Sequence, residues 1–146
     1  WEYACRAGSL GDYCFGNGSG QLPGYAVFKS EGVGAEEVLQ PKPVGGRRPN
    51  DWGLYDMHGN VQEWCQDWYA SSYAPGPLVD PRGPPTGSGK VIRGGSYWRL
   101  DKDCRSAARK SVPENFRHAG IGCRVARTLE GAQGDTPPIP SGGDPC

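Results

Sequence analysis

The spacing of hydrophobic residues predicts one short helix at the start of the chain. Trp1, Ala4 and Cys5 recur at helical spacing, and Gly8 stands where a helix of this length would end. No capping residue precedes this stretch, so we expect a helix whose beginning is missing and a chain that is a fragment or a processed product.

Short strands separated by irregular loops are predicted for most of the remaining chain. The clearest strand covers 61–69, after a turn at Gly59-Asn60, because Trp64 and Trp68 fall on the same side of a strand. Further short strands are predicted near 25–29 and at 90–93, 104–109 and 120–127. Beyond 127 apolar residues nearly disappear, so we expect residues 128–146 to form a disordered tail or linker.

Composition changes this picture in one respect, the nature of the core. The 146 residues include 24 glycines and 14 prolines, a proportion near the range of low-complexity chains. Five tryptophans and seven tyrosines offset the shortage of aliphatic residues, because both side chains bury large areas at low entropic cost. We therefore expect a small, loop-rich domain with an aromatic core.

Charge argues against a nucleic-acid partner, and hydrophobicity argues against a membrane span. Lysine plus arginine equals aspartate plus glutamate at 16 each, so the chain lacks the basic excess that nucleic-acid binding requires. No run of about 18 apolar residues is present, so no membrane span is predicted. The first eight residues have no basic leader and no apolar core, so they do not predict a signal peptide.

The cysteines and histidines predict no metal site by their spacing. Six cysteines occur without any Cys-x-x-Cys pair, and His58 and His118 have no nearby cysteine or second histidine. We expect each histidine to be hydrogen-bonded or exposed. The cysteines either form disulfides, which suit an oxidising compartment, or are buried as small hydrophobic residues. A periplasmic or other extracytoplasmic location is the favoured compartment.

Five motifs in a fixed order are similar to one protein family. They are Trp-Glu-Tyr-Ala-Cys-Arg-Ala-Gly at 1–8, Gly-Leu-Tyr-Asp-Met-His-Gly-Asn-Val-Gln-Glu-Trp-Cys-Gln-Asp-Trp-Tyr at 53–69, Arg-Gly-Gly-Ser-Tyr at 93–97, Cys-Arg-Ser-Ala-Ala-Arg at 104–109 and Gly-Cys-Arg-Val-Ala at 122–126. The series resembles the formylglycine-generating enzymes, or sulfatase-modifying factors. The resemblance implies an α+β, C-type-lectin-like fold for a bacterial domain at 1–127 that lacks its N-terminal part.

The resemblance also bears on catalysis. Active family members use copper, held by two cysteines, and oxygen to convert the cysteine of a Cys-x-Pro-x-Arg motif into formylglycine. Here the first of those positions is Arg99 and the second aligns with Cys104, while Ser96 matches the family's active-site serine. Gln62 replaces the tryptophan beside the oxygen pocket. Because a guanidinium does not bind Cu(I), the family's copper site is not expected to form.

Two structural features are implied by the same resemblance. The family binds calcium in the turn before the Trp-x-x-Trp strand, and the matching positions are Asp56, Gly59, Val61 and Glu63. Carboxylates and backbone carbonyls are the hard oxygen ligands that calcium prefers, so calcium binding is the favoured interpretation. The alternative is that Asp56 caps the turn and Glu63 faces solvent. The family pattern also implies a disulfide between Cys5 and Cys104.

Three functions are compatible with these residues. The favoured one is a calcium-stabilised, non-catalytic domain that binds an unidentified ligand or protein through Tyr97, Trp98, Arg99 and Phe116, residue types enriched in binding hot spots. The alternative for Tyr97 and Trp98, equally compatible with the sequence, is that they belong to the core. The alternatives are oxidoreductases: a formylglycine-generating enzyme with a rearranged thiol site that uses Ser96 and Cys104, or the partner domain of an iron-dependent sulfoxide synthase.

Overall fold

Short elements and long connections make up the fold of this chain. The structure, a computed structural model, describes residues 1–30, 40–73, 75–76 and 81–127. Its helices are α1 (Glu2–Arg6), α2 (Leu22–Tyr25) and one 3-10 helix (Asp101–Cys104). Its strands are β1 (Ala26–Val27), β2 (His58–Gly59), β3 (Gln62–Trp68), β4 (Lys90–Arg93), β5 (Arg109–Val112) and β6 (Ile121–Gly122). This is the α+β class expected from the sequence.

The larger sheet has four strands in the order β5-β4-β3-β6. Strand β4 is antiparallel to both of its neighbours, β3 and β5, whereas β6 runs parallel to β3. Strands β1 and β2 form a separate parallel pair. Because side chains alternate across a sheet, partners in register share a face. One face carries Glu63, Arg93 and Arg109, and the other carries Trp64, Ile92 and Lys110.

Most of the predicted elements are confirmed, and two are wrong in extent. The helix at the chain start, the pair at 26–27, β3 and β4 all lie within the predicted segments. The strand expected at 104–109 is wrong: the chain forms the 3-10 helix up to Cys104, and pairing resumes only at Arg109. The strand at 120–127 is reduced to Ile121–Gly122. Residues 128–146, the expected tail, lie outside the described residues.

The core is aromatic, but tryptophan does not build it. Its buried cluster contains Tyr13, Leu22, Ala26 and Cys104, with phenylalanines 15 and 28 packed against it. All five tryptophans are at least partly exposed, and Trp52 is 47% exposed. The aromatic part of the core therefore consists of tyrosine and phenylalanine and not of tryptophan. Among the described residues, buried thiols and tyrosine take its place.

The helices of the described ranges are short. None of them has the length and apolar character that crossing a membrane requires.

Candidate functional site

Two glycines redirect the chain where β4 ends. Gly94 and Gly95 have φ angles of 94° and 71°, in the left-handed region that side chains other than glycine rarely adopt. A Cβ placed on Gly95 would lie 2.5 Å from the sulfur of Cys104. This absence of a side chain lets the 3-10 helix pack directly beneath the turn. The resulting segment, 96–99, carries four of the predicted site residues.

Ser96 and Cys104, the two predicted catalytic residues, are brought together and are fully buried. The Ser96 backbone forms a hydrogen bond with the Cys104 thiol. Burial raises the pKa of that thiol to about 12, so Cys104 is uncharged at neutral pH. The hydroxyl of Ser96 has no hydrogen-bond partner among the described residues. An uncharged thiol is a weak nucleophile and a weak metal ligand.

Tyr97 does not contribute to a surface. It is only 9% exposed, and its backbone N–H donates to the carbonyl of Asn60 at 2.9 Å. Of the two alternatives for Tyr97, surface or core, the structure shows the core, because the turn at Gly94 and Gly95 directs this residue inward. The ligand surface is left to its two neighbours and to Phe116.

Trp98 and Arg99 form a stacked pair beside two aromatic rings. The guanidinium carbon of Arg99 lies 3.9 Å from the centre of the Trp98 indole. The same indole lies 5.1 Å, centre to centre, from the imidazole of His118, which stacks on Phe116 with an interplanar angle of 2°. Phe116 is 41% exposed. The structure therefore places three of the four predicted ligand residues around one aromatic patch.

An open cavity of about 440 Å³ adjoins this patch. It is lined by Trp64 from β3 and by Phe116, Arg117, His118, Ala119 and Ile121 from the loop that leads into β6. Its wall includes two of the stacked rings, so it suits an apolar or planar group. The sequence singled out Phe116 but gave no signal for Trp64 or His118, because their approach depends on how the sheet folds.

The four predicted calcium ligands lie in and after a tightly curled turn. Asp56, Gly59 and Asn60 have positive φ angles of 56°, 80° and 60°. One carboxylate oxygen of Asp56 accepts the Gly45 N–H at 2.7 Å, and its other oxygen has no hydrogen-bond donor among the described residues. Val61 follows the turn directly. This segment offers one available carboxylate oxygen together with backbone carbonyls.

Glu63, the fourth predicted ligand, has other partners. It is 5% exposed, and Arg124 donates to both of its oxygens, through Nη2 to Oε1 at 2.7 Å and through Nε to Oε2 at 3.0 Å. The indole N–H of Trp1 also donates to Oε2 at 2.7 Å. The sequence gave no indication of Arg124, since it lies 61 residues from Glu63.

A buried histidine organises the centre of the core. The Nδ1–H of His58 donates to the carbonyl of Cys104 at 2.7 Å, and its Nε2 accepts the N–H of Cys14 at 3.1 Å. The thiol of Cys5 lies 3.8 Å from both ring nitrogens. Burial lowers the pKa of His58, so the ring is neutral. Each ring nitrogen takes part in one of the two hydrogen bonds, Nδ1 as the donor and Nε2 as the acceptor. The expected hydrogen-bonded histidine is confirmed.

The described cysteines are free thiols in this structure. Cys5 and Cys104 are both completely buried, and burial raises the pKa of Cys5 to about 12. Both contact His58, Cys5 through its thiol and Cys104 through its backbone carbonyl. The disulfide between them stays a prediction. Within the described ranges, no group of three or more histidine, cysteine, aspartate or glutamate side chains is arranged to hold a metal ion.

The sequence matches a known domain family over most of its length. Residues 1–129 match the model of the sulfatase-modifying factor enzyme 1-like domain, also called the FGE-sulfatase domain. The chain belongs to this family. The match covers all the structural elements described above, so it confirms the family resemblance seen in the motifs.

Relatives of this FGE-sulfatase domain include enzymes and proteins with other names. It is 38% identical over 143 residues to a formylglycine-generating enzyme of Streptomyces coelicolor, covering 89% of this chain and 45% of that one. Treponema denticola variable protein 1 is a similar solved structure, with a TM-score of 0.74 and 32% sequence identity over 84% of this chain and 43% of that one. PvdO from Pseudomonas aeruginosa is another, with a TM-score of 0.71 and 30% sequence identity over 84% of this chain and 47% of that one. The chain thus spans less than half the length of these relatives.

The copper site implied by the family does not fit the residues present. A Cu(I) site of this kind needs two accessible thiolates. Arg99 occupies one position, and the thiol at the other, Cys104, is fully buried and uncharged at neutral pH. A permanently charged guanidinium adjoining the site would also repel a cation.

Proposed function

We propose that this FGE-sulfatase domain is a binding module and not a copper oxidase. The observation that carries the proposal is the pairing of Arg99 with Trp98 at the position where the oxidases have their first copper cysteine. A metal ligand is replaced there by a cation stacked on an aromatic ring, next to an open aromatic cavity. Arginine and tryptophan are the residue types most enriched in binding hot spots.

The test is an assay of the full-length protein for formylglycine formation. We expect no aldehyde product, detected by mass spectrometry, when it is incubated with copper, oxygen and a peptide containing Cys-x-Pro-x-Arg. The matched control peptide has serine in place of the reactive cysteine. Aldehyde formed only on the cysteine peptide, and lost in Cys104→Ala, would refute the proposal and place oxidase chemistry at Cys104.

One observation favours the oxidoreductase alternative. Ser96 and Cys104 lie in hydrogen-bond contact, and the Ser96 hydroxyl has no partner among the described residues. An unpaired buried hydroxyl on the residue whose backbone contacts a thiol is compatible with a reactive site. The burial of both residues counts against this function, because a peptide substrate has to reach the sulfur that acts on it.

We further propose that calcium stabilises the domain at the turn of Asp56. The available Asp56 oxygen and the carbonyls of Gly59 and Val61 are hard donors of the kind that calcium prefers. Glu63 already accepts three hydrogen bonds, and the Arg124 guanidinium paired with it would repel a cation. The proposed calcium site therefore rests on Asp56 and the two carbonyls, and Glu63 would join it only in place of its pairing with Arg124.

Calcium is therefore expected to raise the thermal unfolding midpoint of the protein, whereas the same concentration of magnesium is not. Calcium at about a hundred times its dissociation constant would add about 2.7 kcal/mol to the free energy of unfolding. Asp56→Asn should abolish the calcium effect, while Asp67→Asn, a nearby carboxylate outside the turn, should leave it intact. Equal calcium responses of wild type and Asp56→Asn, measured by calorimetry, would rule out this site.

A further inference from the structure

A second cavity, of about 320 Å³, is bordered by the 3-10 helix and by strands β4 and β5. It has no lining residue in common with the aromatic cavity. Its basic lining residues are Arg93, Lys102, Arg105, Arg109 and Lys110, and its acidic lining residue, within the described part of the chain, is Asp103. Because the whole chain carries 16 basic and 16 acidic residues, this cavity concentrates positive charge.

Two of the five basic residues direct their charge elsewhere. Arg93 donates to the carboxylate of Glu2 at 3.1 Å and to the hydroxyl of Tyr73. The guanidinium carbon of Arg109 lies 4.1 Å from the centre of the same tyrosine ring. Neither Glu2 nor Tyr73 lines the cavity, so the positive charge available inside it comes from the other three basic residues.

Two of these three charges lack a strong partner. Lys110 neutralises the acid of the cavity, since its Nζ lies 3.0 Å from Oδ1 of Asp103. Lys102 makes no ion pair with any described residue. Arg105 pairs with Asp12 at 3.8 Å, and both side chains are half-exposed, so this pair contributes little. The cavity therefore carries about two uncompensated positive charges.

A buried amide adds a polar group to the same lining. Gln62 is 3% exposed and lines the cavity from β3. Because side chains two positions apart point to the same face of a strand, Gln62 shares a face with Trp64 and with its partner Ile92, which also lines the cavity. Within the described ranges the Gln62 side chain makes no hydrogen bond. Buried amides are ordinarily paired, so this one is available to a ligand.

We propose that this cavity binds a phosphate monoester, with Lys102 and Arg105 on the phosphate oxygens and the Gln62 amide donating to the same group. A phosphate monoester carries about two negative charges at neutral pH and three acceptor oxygens, which matches the charge and the donors of the lining. The volume is at the lower end of small-molecule sites. The inference goes beyond the proposed binding function, because it concerns a different cavity.

The experiment measures binding of methyl phosphate to the protein by calorimetry, with methyl sulfate as the matched probe. The two esters have the same tetrahedral shape, but the sulfate ester carries a single charge. We expect methyl phosphate to bind about tenfold more tightly, because its second charge interacts with the second uncompensated cation.

Variants assign the binding to this cavity. Lys102→Gln and Arg105→Gln should each weaken methyl phosphate binding about tenfold, since each removes a charged donor. Gln62→Met keeps a side chain of similar size without the amide, and it should weaken binding while leaving the unfolding midpoint unchanged. The matched control is Lys29→Gln, which removes an exposed lysine outside the cavity and should bind like wild type.

Two larger esters identify the source of the phosphate. Glycerol 3-phosphate represents a small molecule, and a tripeptide with a central phosphoserine represents a modified protein. Tighter binding of either one than of methyl phosphate supports the site and shows which kind of molecule supplies the group.

Three results would overturn the inference. Equal affinity of wild type for methyl phosphate and methyl sulfate would show that the site does not select a dianion. Unchanged binding in both Lys102→Gln and Arg105→Gln would place the phosphate elsewhere, and a folded protein that binds none of the phosphate esters has no such site. The aldehyde assay is unaffected by all three results, so the proposed absence of oxidase activity is decided separately.

Discussion

His58→Ala is expected to remove a large part of the stability of the folded domain. The substitution leaves two buried backbone groups, the Cys14 N–H and the Cys104 carbonyl, without partners and opens a cavity among the thiols. The expected loss is about 4 kcal/mol or more, from about 1–3 kcal/mol for each unpaired group together with the cavity. Small domains have total stabilities of about 5–15 kcal/mol, so urea unfolding should show a large shift.

His118→Ala is the matched control for this variant. His118 is exposed, and its Nδ1 accepts a hydrogen bond from the nearby Gly120 N–H, its one hydrogen bond to the residues that the structure describes. We expect a loss of about 0.5 kcal/mol, typical of surface substitutions. A His58→Ala protein whose stability matched that of His118→Ala would contradict the central role assigned to the buried imidazole.

The same buried histidine predicts how stability depends on pH. Burial lowers the pKa of His58 in the folded state, while the unfolded chain has an ordinary histidine pKa of about 6.5. The unfolded state therefore binds the proton first as the pH falls, and stability declines from about pH 6.5 down to the folded pKa. The slope attributable to His58 approaches about 1.4 kcal/mol per pH unit and should be absent in a folded His58→Gln variant.

Arg124→Gln is expected to produce the second large effect. It leaves the carboxylate of Glu63, which is 5% exposed, without its cation, and within the described part of the chain the Trp1 indole is the one donor that remains. Removing one partner of a buried ion pair costs about 3–5 kcal/mol, and partial exposure of Arg124 reduces this to about 2–3 kcal/mol. Chemical denaturation would measure the loss.

A double-mutant cycle distinguishes a coupled pair from two independent losses. Glu63→Gln combined with Arg124→Gln should be more stable than Arg124→Gln alone, because the unpaired charge has been removed. The control is Arg105→Gln, whose ion pair with Asp12 is half-exposed and long at 3.8 Å, and which should cost less than about 1 kcal/mol. Additive losses at Glu63 and Arg124 would argue against the pair.

The ordered motifs were sufficient to predict the family, the α+β class and the strands that lie on local patterns. Strand β4 was predicted at its observed bounds, because it contains the apolar pair Val91-Ile92 and is followed by two glycines that end the strand. The strand proposed at 104–109 failed for the opposite reason. Its local composition suits a strand, but the packing of Cys104 beneath Gly95 requires a turn of 3-10 helix at that point.

The candidate site was predicted only in part. Trp98, Arg99 and Phe116 were selected by residue type, and the structure brings them to one patch. The position of Tyr97 relative to the surface depended on a backbone turn that residue type does not encode. Trp64 and His118 joined the patch because β3 and the loop before β6 are neighbours in the sheet, a contact between distant parts of the chain.

Residue identity alone sets the chemistry available to this protein: an arginine at the first copper position, a cysteine at the second, and no basic excess. Those are properties of individual residues, and folding does not change them. Which of the charges are satisfied, by contrast, depends on the folded arrangement of the chain. Arg124 neutralises Glu63 from 61 positions away, His58 uses both ring nitrogens within the core, and Arg99 stays unpaired among the described residues. Such pairings depend on long-range packing, because hydrogen bonds act over a few ångströms in space and not along the chain.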